Sequence, residues 1–176
     1  MLSGRASYVL GPLQLSDIEW APKRKIPWIE DGANKIADSG FIISYLQETY
    51  GDRLGENSLS PADRAVALSM RRMVEEHLYW AAFFDRWIDD DIWSSYKPIF
   101  FGICTPQEYE VAPDQIREIA RQYIYGQGLG RHSRAEIYEL GNADTSALAA
   151  HLGDQPYFMG REPTSLDATM YGFWLT

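Results

Sequence analysis

The stretch Lys25-Ile-Pro-Trp-Ile-Glu-Asp-Gly32, followed closely by Lys35-Ile-Ala-Asp-Ser39, carries the clearest structural signal in this chain. It predicts an apolar strand containing Pro27, a turn around Asp31-Gly32, and a short strand ending at Ala37. A helix is predicted to begin directly afterwards. An Asp-Gly pair between apolar runs is a strong hairpin signal, because the turn needs positive φ at its centre.

The start of that helix, at Asp38-Ser39, indicates a site for an extended small ligand that carries a carboxylate. The first N–H groups of a helix lack partners and attract anions. Pro27 is unusual within a strand because it cannot donate to the ladder. The plainer alternative is that Pro27 closes an edge strand and that Asp38 or Ser39 only caps the helix. The order strand, hairpin, strand and capped helix favours the binding interpretation.

Composition excludes several classes of function. The 176 residues are 45% hydrophobic and 23% charged, which is ordinary for a globular chain. The formal net charge of -9 argues against a nucleic-acid partner, and the basic cluster Lys23-Arg24-Lys25 is too small to change this. The three histidines and the single Cys104 show no zinc spacing, so we expect no metal.

The cellular location is predicted from what the chain does not contain. Cys104 is the only cysteine, so no intrachain disulfide can form, which suits a reducing compartment. The first fifteen residues lack the apolar core of a signal peptide. No stretch approaches the roughly 20 apolar residues that cross a bilayer. We therefore expect a cytoplasmic protein without a membrane span.

A Gly/Asn/Asp-rich linker at residues 51–59 divides the chain, giving predicted domains 1–52 and 60–176. Beyond it the pattern is almost entirely helical. Ser60-Pro61 starts a long helix, with a serine cap and proline at the first helical position. Residues at three- and four-residue spacing predict one shared face along it. They are Met70, Met73, His77, Trp80, Phe84 and Trp87.

A second helix is predicted from Thr105 or Pro113 to Tyr125. Its expected apolar face comprises Ile116, Ile119, Ala120 and Tyr123. Glycines 126, 128 and 130 end it, at a spacing that is not a dinucleotide fingerprint. Ser133 and Glu136 form a capping box that opens a third helix, which stops near Gly153.

Thr164 and Asp167 are predicted to form a structural capping box at the start of a fourth helix. Two further groups have chemical potential but plainer interpretations. His77 beside Glu75 and Glu76 is interpreted as a core histidine rather than a metal ligand, because adjacent helical residues point about 100° apart. The run 89–91 of three aspartates is interpreted as a solvated helix end.

The stretch 25–50 resembles the second half of the thioredoxin-like domain of cytosolic glutathione transferases. Ile26-Pro27 matches the family's cis-proline, and Asp38-Ser39 matches its acidic or amide residue followed by serine. The resemblance implies a cis peptide before Pro27, pairing of the Ile26 backbone with the cysteinyl part of glutathione, and binding of its γ-glutamyl end by Asp38 and Ser39. This chain departs from the family at Arg24, which stands where relatives usually have glycine; if that turn needs positive φ, arginine strains it.

The helical half resembles the all-α domain of the same superfamily, which has a Thr/Ser-x-x-Asp cap at a buried helix. Several strings resemble the group containing the failed-axon-connections and metaxin-like proteins. They are Arg71-Arg-Met-Val-Glu-Glu-His-Leu-Tyr-Trp80, Gly130-Arg-His-Ser133 and Pro163-Thr-Ser-Leu-Asp-Ala-Thr169.

The resemblance implies an α+β, mostly α, chain: a partial thioredoxin-like half, with a β-hairpin and a helix, followed by an all-α glutathione-transferase C-terminal domain. Only about twenty residues precede the Pro27 strand, whereas a strand, helix and return strand need roughly 30 or more. We therefore expect truncation at both ends and loss of the thiol-activating residue, so no catalytic residue is assigned.

Glutathione binding or thiol transfer, with glutathione as the substrate, is the function that the resemblance implies. Without the activating residue, conjugating activity is expected to be low, since thiolate is the actual nucleophile. The alternative is a non-catalytic, metaxin-like adaptor or protein-interaction module. A homodimer or a protein partner is compatible with both hypotheses.

Overall fold

The computed structural model describes residues 21–102 and 104–174 of the chain. These residues divide into two compact units, the first ending at Arg53 and the second beginning at Leu54. Within residues 21–53 the first unit holds a two-stranded hairpin and one helix, and the described part of the second unit is helical. The predicted α+β, mostly α, fold class is confirmed.

The hairpin of the first unit consists of β1 (Trp28–Asp31) and β2 (Asn34–Ala37), paired antiparallel with Trp28 opposite Ala37. Its two-residue turn is Gly32-Ala33, with φ of 60° at Gly32. This is the geometry of a type II′ turn, which favours glycine at the first central position. The predicted hairpin is confirmed, with Asp31 as the last strand residue rather than a central turn residue. Helix α1 (Ser39–Tyr50) follows at once.

The second unit consists of helices joined by short turns. A 3₁₀ turn at Glu56–Ser58 precedes the first helix, and another at Leu129–Arg131 precedes the penultimate one. The helices are α2 (Pro61–Met73), a π-helical turn (Val74–Leu78), α3 (Tyr79–Trp87), α4 (Asp90–Phe101), α5 (Pro106–Gln127), α6 (Arg134–Leu152) and α7 (Ser165–Trp174).

The core of the helical unit comprises two buried clusters. The first joins the π-helical turn to α6 and α7 through Val74, Leu78, Leu148, Leu166 and Met170. The second joins α3, α5 and α6 through Ala81, Ile124, Leu129 and Ile137. Each fully buried aliphatic side chain stabilises the fold by roughly 1.5–3 kcal/mol relative to exposure.

The predicted face of the long helix is confirmed in part, because Met70 and Met73 pack against the first core cluster, and Trp80 and Phe84 against the second. The π-helical turn changes the hydrogen-bonding period in the middle of this helix and rotates the face that follows. Val74, Leu78 and Ala81 are the buried residues, whereas the predicted ones lie beside them, partly buried. His77 is not a core histidine, because its side chain is 41% exposed.

Helix α4 was not predicted from the sequence, because Pro98 lies within it and proline is unfavourable inside helices. Its Trp93 and Phe101 are buried and pack in an aromatic group around Trp87. The interpretation of residues 89–91 as a solvated helix end is confirmed for Asp90 and Asp91, which are exposed at the start of α4. It is wrong for Asp89, which is 4% exposed and caps α4.

Helix α5 begins at the Thr105 cap, so Pro113 lies inside it rather than at its start. The predicted apolar face is wrong for three of its four members. Ala120 is buried together with Pro113 and Ile124, whereas Ile116, Ile119 and Tyr123 are 36%, 46% and 63% exposed. The helix carries a second apolar face that periodicity could not distinguish from the core face.

Both predicted capping boxes mark true helix starts. Ser133 accepts from the N–H of Glu136, whose carboxylate accepts from the Ser133 N–H at 2.8 Å. Helix α6 ends before Gly153, as predicted. At α7, Thr164 and Ser165 are buried and Leu166 is fully buried, so this helix start lies inside the helical unit.

Candidate functional site

The candidate site begins with a contact between strand and helix. The carbonyl oxygen of Pro27 accepts a hydrogen bond from the N–H of Asp38 at 3.2 Å. The Ile26–Pro27 peptide is cis, which confirms the expectation from the family resemblance. Ile26 is 49% exposed beside this junction. The structure therefore brings the four predicted site residues, Ile26, Pro27, Asp38 and Ser39, into one short region.

Asp38 caps the helix in an unusual backbone conformation. Its φ is 83°, a region that aspartate and asparagine tolerate better than most residues. Oδ1 accepts from the N–H of Gly40 at 3.0 Å, while the carbonyl accepts from Ile42 at 2.9 Å. Because the cap uses Oδ1, Oδ2 remains an acceptor at an exposed position.

Gly40 leaves room for this cap. A Cβ at Gly40 would lie 3.3 Å from Asp38 Oδ1, which is tighter than an ordinary contact. Ser39, at the first helical position, is exposed, and its N–H lies at the positive end of the helix dipole. The helix start therefore offers a donor and an acceptor side by side.

Basic residues lie before the strand. Arg24 has φ of 51°, so the turn does have the positive φ under which arginine is strained. The Nζ of Lys23 lies 4.6 Å from the ring centroid of Phe41, a residue in the first turn of α1. Lys23 thus adds positive charge near the helix start. Sequence reasoning missed this role, because the basic cluster was weighed only for nucleic-acid binding.

The orientation of α1 depends on Asp31 at the end of β1. Its Oδ2 accepts from the hydroxyl of Tyr45 at 2.7 Å and from that of Tyr50 at 2.6 Å. The hydrogen bond from Tyr50 is the main cause that lowers the pKa of Asp31, and the one from Tyr45 lowers it further. The hydrogen bond to Asp31 in turn raises the pKa of Tyr50. Tyr45 and Tyr50 are spaced five residues apart, which gave no periodic signal in the sequence.

The predicted capping box at α7 is present in part. The Asp167 carboxylate accepts from the Thr164 N–H at 2.8 Å and from its hydroxyl at 2.9 Å. Its second oxygen accepts from the Phe158 N–H at 2.8 Å. The Thr164 hydroxyl therefore donates to Asp167, whose N–H bonds the Thr164 carbonyl oxygen at 3.2 Å and not the hydroxyl. The carboxylate of Glu56 additionally accepts from the Ser165 N–H at 3.1 Å, so two acidic residues cap one helix.

Other reactive side chains lie outside the candidate site. Over residues 21–102 and 104–174, no group of three or more metal-ligating side chains comes together. Cys104 is a partly buried free thiol. His77 Nδ1 lies 2.5 Å from Asp144 Oδ2, which links the π-helical turn to α6.

Comparison with known proteins assigns a family to both parts of the chain. The model described as the glutathione S-transferase N-terminal domain matches residues 7–92. The one described as the C-terminal domain matches residues 141–176. The chain belongs to the glutathione S-transferase superfamily. The first match extends beyond Arg53 into the helical unit, and residues 93–140 lie outside both matches.

One of the relatives is named as a glutathione S-transferase, whereas the names of two others state no enzymatic activity. The chain is 38% identical over 154 residues to isoprene-epoxide–glutathione S-transferase of a Rhodococcus species, covering 86% of this chain and 64% of that protein. It is 30% identical to Failed axon connections of Drosophila melanogaster, over 85% of this chain and 38% of that protein. Human metaxin-2 is 25% identical, over 89% and 59% respectively.

The chain thus spans less than two thirds of each of these relatives. No solved structure is significantly similar to it. In the described part of the chain, every helix is too short or too polar to cross a membrane. The binding roles of Ile26, Pro27, Asp38 and Ser39 and the domain bounds 1–52 and 60–176 stay predictions.

Proposed function

We propose that this chain binds glutathione at the start of α1, through Asp38, Ser39 and the backbone beside Pro27. The observation that carries the proposal is the exposed helix start joined to the strand by the Pro27–Asp38 hydrogen bond. Glutathione has an extended backbone and a γ-glutamyl end bearing both a carboxylate and an ammonium group. The helix start presents the partial positive charge of the Ser39 N–H beside the negative carboxylate of Asp38.

The γ-glutamyl carboxylate would meet the Ser39 N–H and hydroxyl, where the helix dipole favours an anion. Lys23, near Phe41, would strengthen this attraction. Oδ2 of Asp38, which the cap leaves unused, would accept from the ammonium group. The exposed backbone at Ile26 would pair with the cysteinyl part, as the family resemblance implies.

We further propose that conjugation by this chain is weak. Glutathione becomes nucleophilic as the thiolate, so a transferase needs a donor that stabilises it. In the described part of the first unit, Tyr45 and Tyr50 already donate their hydroxyls to Asp31. The similarity to the isoprene-epoxide transferase makes an epoxide the electrophile to try first.

Calorimetric titration with glutathione tests the binding proposal. Asp38→Asn keeps a capping oxygen and a residue that tolerates positive φ, but it removes the charge that would pair with the ammonium group. We expect it to weaken binding at least tenfold. Ser39→Ala should weaken binding only a few-fold, because the backbone N–H remains. Ser133→Ala, a cap change at another helix start, should leave the affinity unchanged.

An absence of binding at millimolar glutathione would refute the proposal, as would equal effects of Asp38→Asn and Ser133→Ala. A parallel assay with isoprene epoxide measures turnover. Binding with rapid conjugation would contradict the proposed weak activity while supporting the site.

A non-catalytic interaction module is the second candidate function. It is favoured by exposed apolar side chains, including Ile99, Ile119 and Tyr123, in the segment outside both family matches. The similarity to Failed axon connections and metaxin-2 agrees with this alternative. In that case the chain would fail to bind glutathione yet associate through its helical unit.

A further inference from the structure

The helical unit contains a cavity of about 180 Å³ beside α2, called here the α2 cavity. Four of the residues that line it recur at positions i, i+3, i+4 and i+7 of this helix, so they share one face. They are Arg64, Ala67, Leu68 and Arg71. The lining is completed from the turn before α2 and from the start of α7, by Glu56, Leu59 and Thr164. All of these residues belong to the second unit.

One part of the α2 cavity is apolar. Leu59, Ala67 and Leu68 contribute aliphatic surface to it. An apolar cavity of about 150 Å³ in another protein accommodates benzene, so the α2 cavity has room for a body of about one aromatic ring. Burial of such a body against leucine side chains is favourable, because it removes apolar surface from water.

The other part of the cavity is formed by Arg71, whose guanidinium is only partly satisfied. Its Nη2 donates to the hydroxyl of Ser165 and lies 3.7 Å from Oε1 of Glu56. Nη1 is not used by either contact. Nε is buried and has no hydrogen-bond partner among the described residues. Because buried donors in native proteins are almost always paired, this guanidinium indicates an acceptor that the described chain does not supply.

The balance of charge around the α2 cavity favours an anion. Its acidic member, Glu56, already accepts from the Ser165 N–H at 3.1 Å, at the positive end of the α7 dipole. Arg64, which is exposed, adds a second guanidinium to that of Arg71. Within the described lining, two positive side chains and a helix start therefore face one carboxylate. This excess is local, since the whole chain has a net charge of -9.

We propose that the α2 cavity binds a small organic carboxylate of about the size of benzoate. The carboxylate would accept from the guanidinium groups of Arg71 and Arg64, whose planar donors match its geometry. The ring would lie against Leu59 and Leu68. A free phosphate would leave this apolar surface uncovered, whereas a neutral ring would leave the donors of Arg71 unsatisfied. A compound with both parts satisfies both halves of the lining.

Binding in the α2 cavity should stabilise the helical unit. Glu56 and Thr164 both act at the start of α7, so the cavity exists only while α2 and α7 are correctly packed. A ligand that binds the folded chain and not the unfolded one raises the melting temperature by mass action. The inference goes beyond glutathione binding and does not depend on it, because Asp38 and Ser39 belong to the first unit.

NMR titration of the whole chain with benzoate tests the proposal. A ligand of this size should bind with a dissociation constant of about 0.1–1 mM. The backbone amide signals of Leu59 and Leu68 should shift on binding. Benzamide, which is uncharged, and benzylamine, which is cationic, should bind at least tenfold more weakly. Acetate should also bind at least tenfold more weakly, because it lacks the ring.

Arg64→Gln is the variant of choice, because Arg64 is exposed and its replacement leaves the contacts of Arg71 at the α7 start intact. It should weaken benzoate binding at least fivefold. Arg72→Gln is the matched control. It removes the same charge from the same helix, but Arg72 is 58% exposed and pairs with Glu75 outside the cavity lining. Its affinity for benzoate should equal that of the wild-type chain, and thermal melts establish that both variants fold.

The proposal would be overturned by an absence of binding at about 10 mM benzoate. Equal affinities for benzoate and benzamide would show an apolar cavity without selectivity for anions. Equal effects of Arg64→Gln and Arg72→Gln would show a general attraction of anions to α2. Shifts at the Ser39 amide instead of Leu59 and Leu68 would place benzoate at the proposed glutathione site. Each of these results refutes the α2 cavity as a carboxylate site, and none of them tests glutathione binding.

Discussion

Oδ2 of Asp89 lies 2.6 Å from Nε of Arg134, so the turn between α3 and α4 is fixed to the start of α6. Tyr138 also donates to Asp89 at 2.6 Å. The Tyr138 hydrogen bond is the main cause that lowers the pKa of Asp89, against burial, and Arg134 lowers it further. Burial is the main cause that raises the pKa of Tyr138, and its hydrogen bonds to Asp85 and Asp89 raise it further.

Asp89→Ala should destabilise the helical unit by about 2 kcal/mol or more, because it removes the α4 cap and leaves Tyr138 and Arg134 without this acceptor. Asp90→Ala is the matched control. Its side chain is 87% exposed and pairs with Arg117, so its loss should cost at most about 1 kcal/mol. Urea unfolding measures both, and equal effects would contradict the distinct role of Asp89.

Thr164→Ala and Asp167→Ala should both lower the melting temperature, with Asp167→Ala the more harmful. Loss of a cap costs about 0.5–2 kcal/mol, and Asp167 additionally serves the Phe158 N–H. The double variant should lower the melting temperature by less than the sum of the two single effects, because both residues act on one helix start. A double-mutant cycle by calorimetry measures this coupling, and strict additivity would exclude a shared box.

Gly141→Ala should destabilise the helical unit despite the better helix propensity of alanine. A Cβ at Gly141 would lie 2.9 Å from the Cβ of Ala81, so α6 and the α3 segment would have to separate. Overpacking typically costs about 1–3 kcal/mol, against a propensity gain of about 1 kcal/mol. A Cβ at Gly172 would meet no atom within 4 Å, so Gly172→Ala should leave the stability of the helical unit unchanged or raise it. Thermal melts that rank the two in the opposite order would contradict this packing.

The hydrogen bonds from Tyr45 and Tyr50 to Asp31, called here the Asp31 clasp, should weaken in acid. Its tyrosine partners lower the pKa of Asp31 in the folded chain, so their contribution is fully present above the usual value of 3.8. It is lost as the pH falls through the lower folded value. Asp31→Asn should therefore reduce the acid dependence of the first unit's stability. NMR titration of the Asp31 carboxyl carbon checks the direction, and an unshifted pKa would contradict the clasp.

Local sequence signals predicted the elements whose causes are local. The hairpin at Gly32, the caps at Asp38, Ser60 and Ser133, and the helix stop at Gly153 each depend on residues a few positions apart. Turn conformation and capping act within one turn of chain, so the sequence contains the whole argument. The family resemblance added the cis peptide before Pro27 and the candidate site residues.

Features that join distant segments could be found only in the folded chain. Asp89 meets Arg134 across 45 positions, and Glu56 caps the helix at Ser165 across 109. The π-helical turn at Val74 rotates the buried face, so periodicity alone did not identify Val74, Leu78 and Ala81 as the most buried residues. On α5, two apolar faces share one helix, and only the packing of α3, α4 and α6 selects which is buried. The choice of face is a property of the neighbours, because burial depends on what a helix contacts and not on its own pattern.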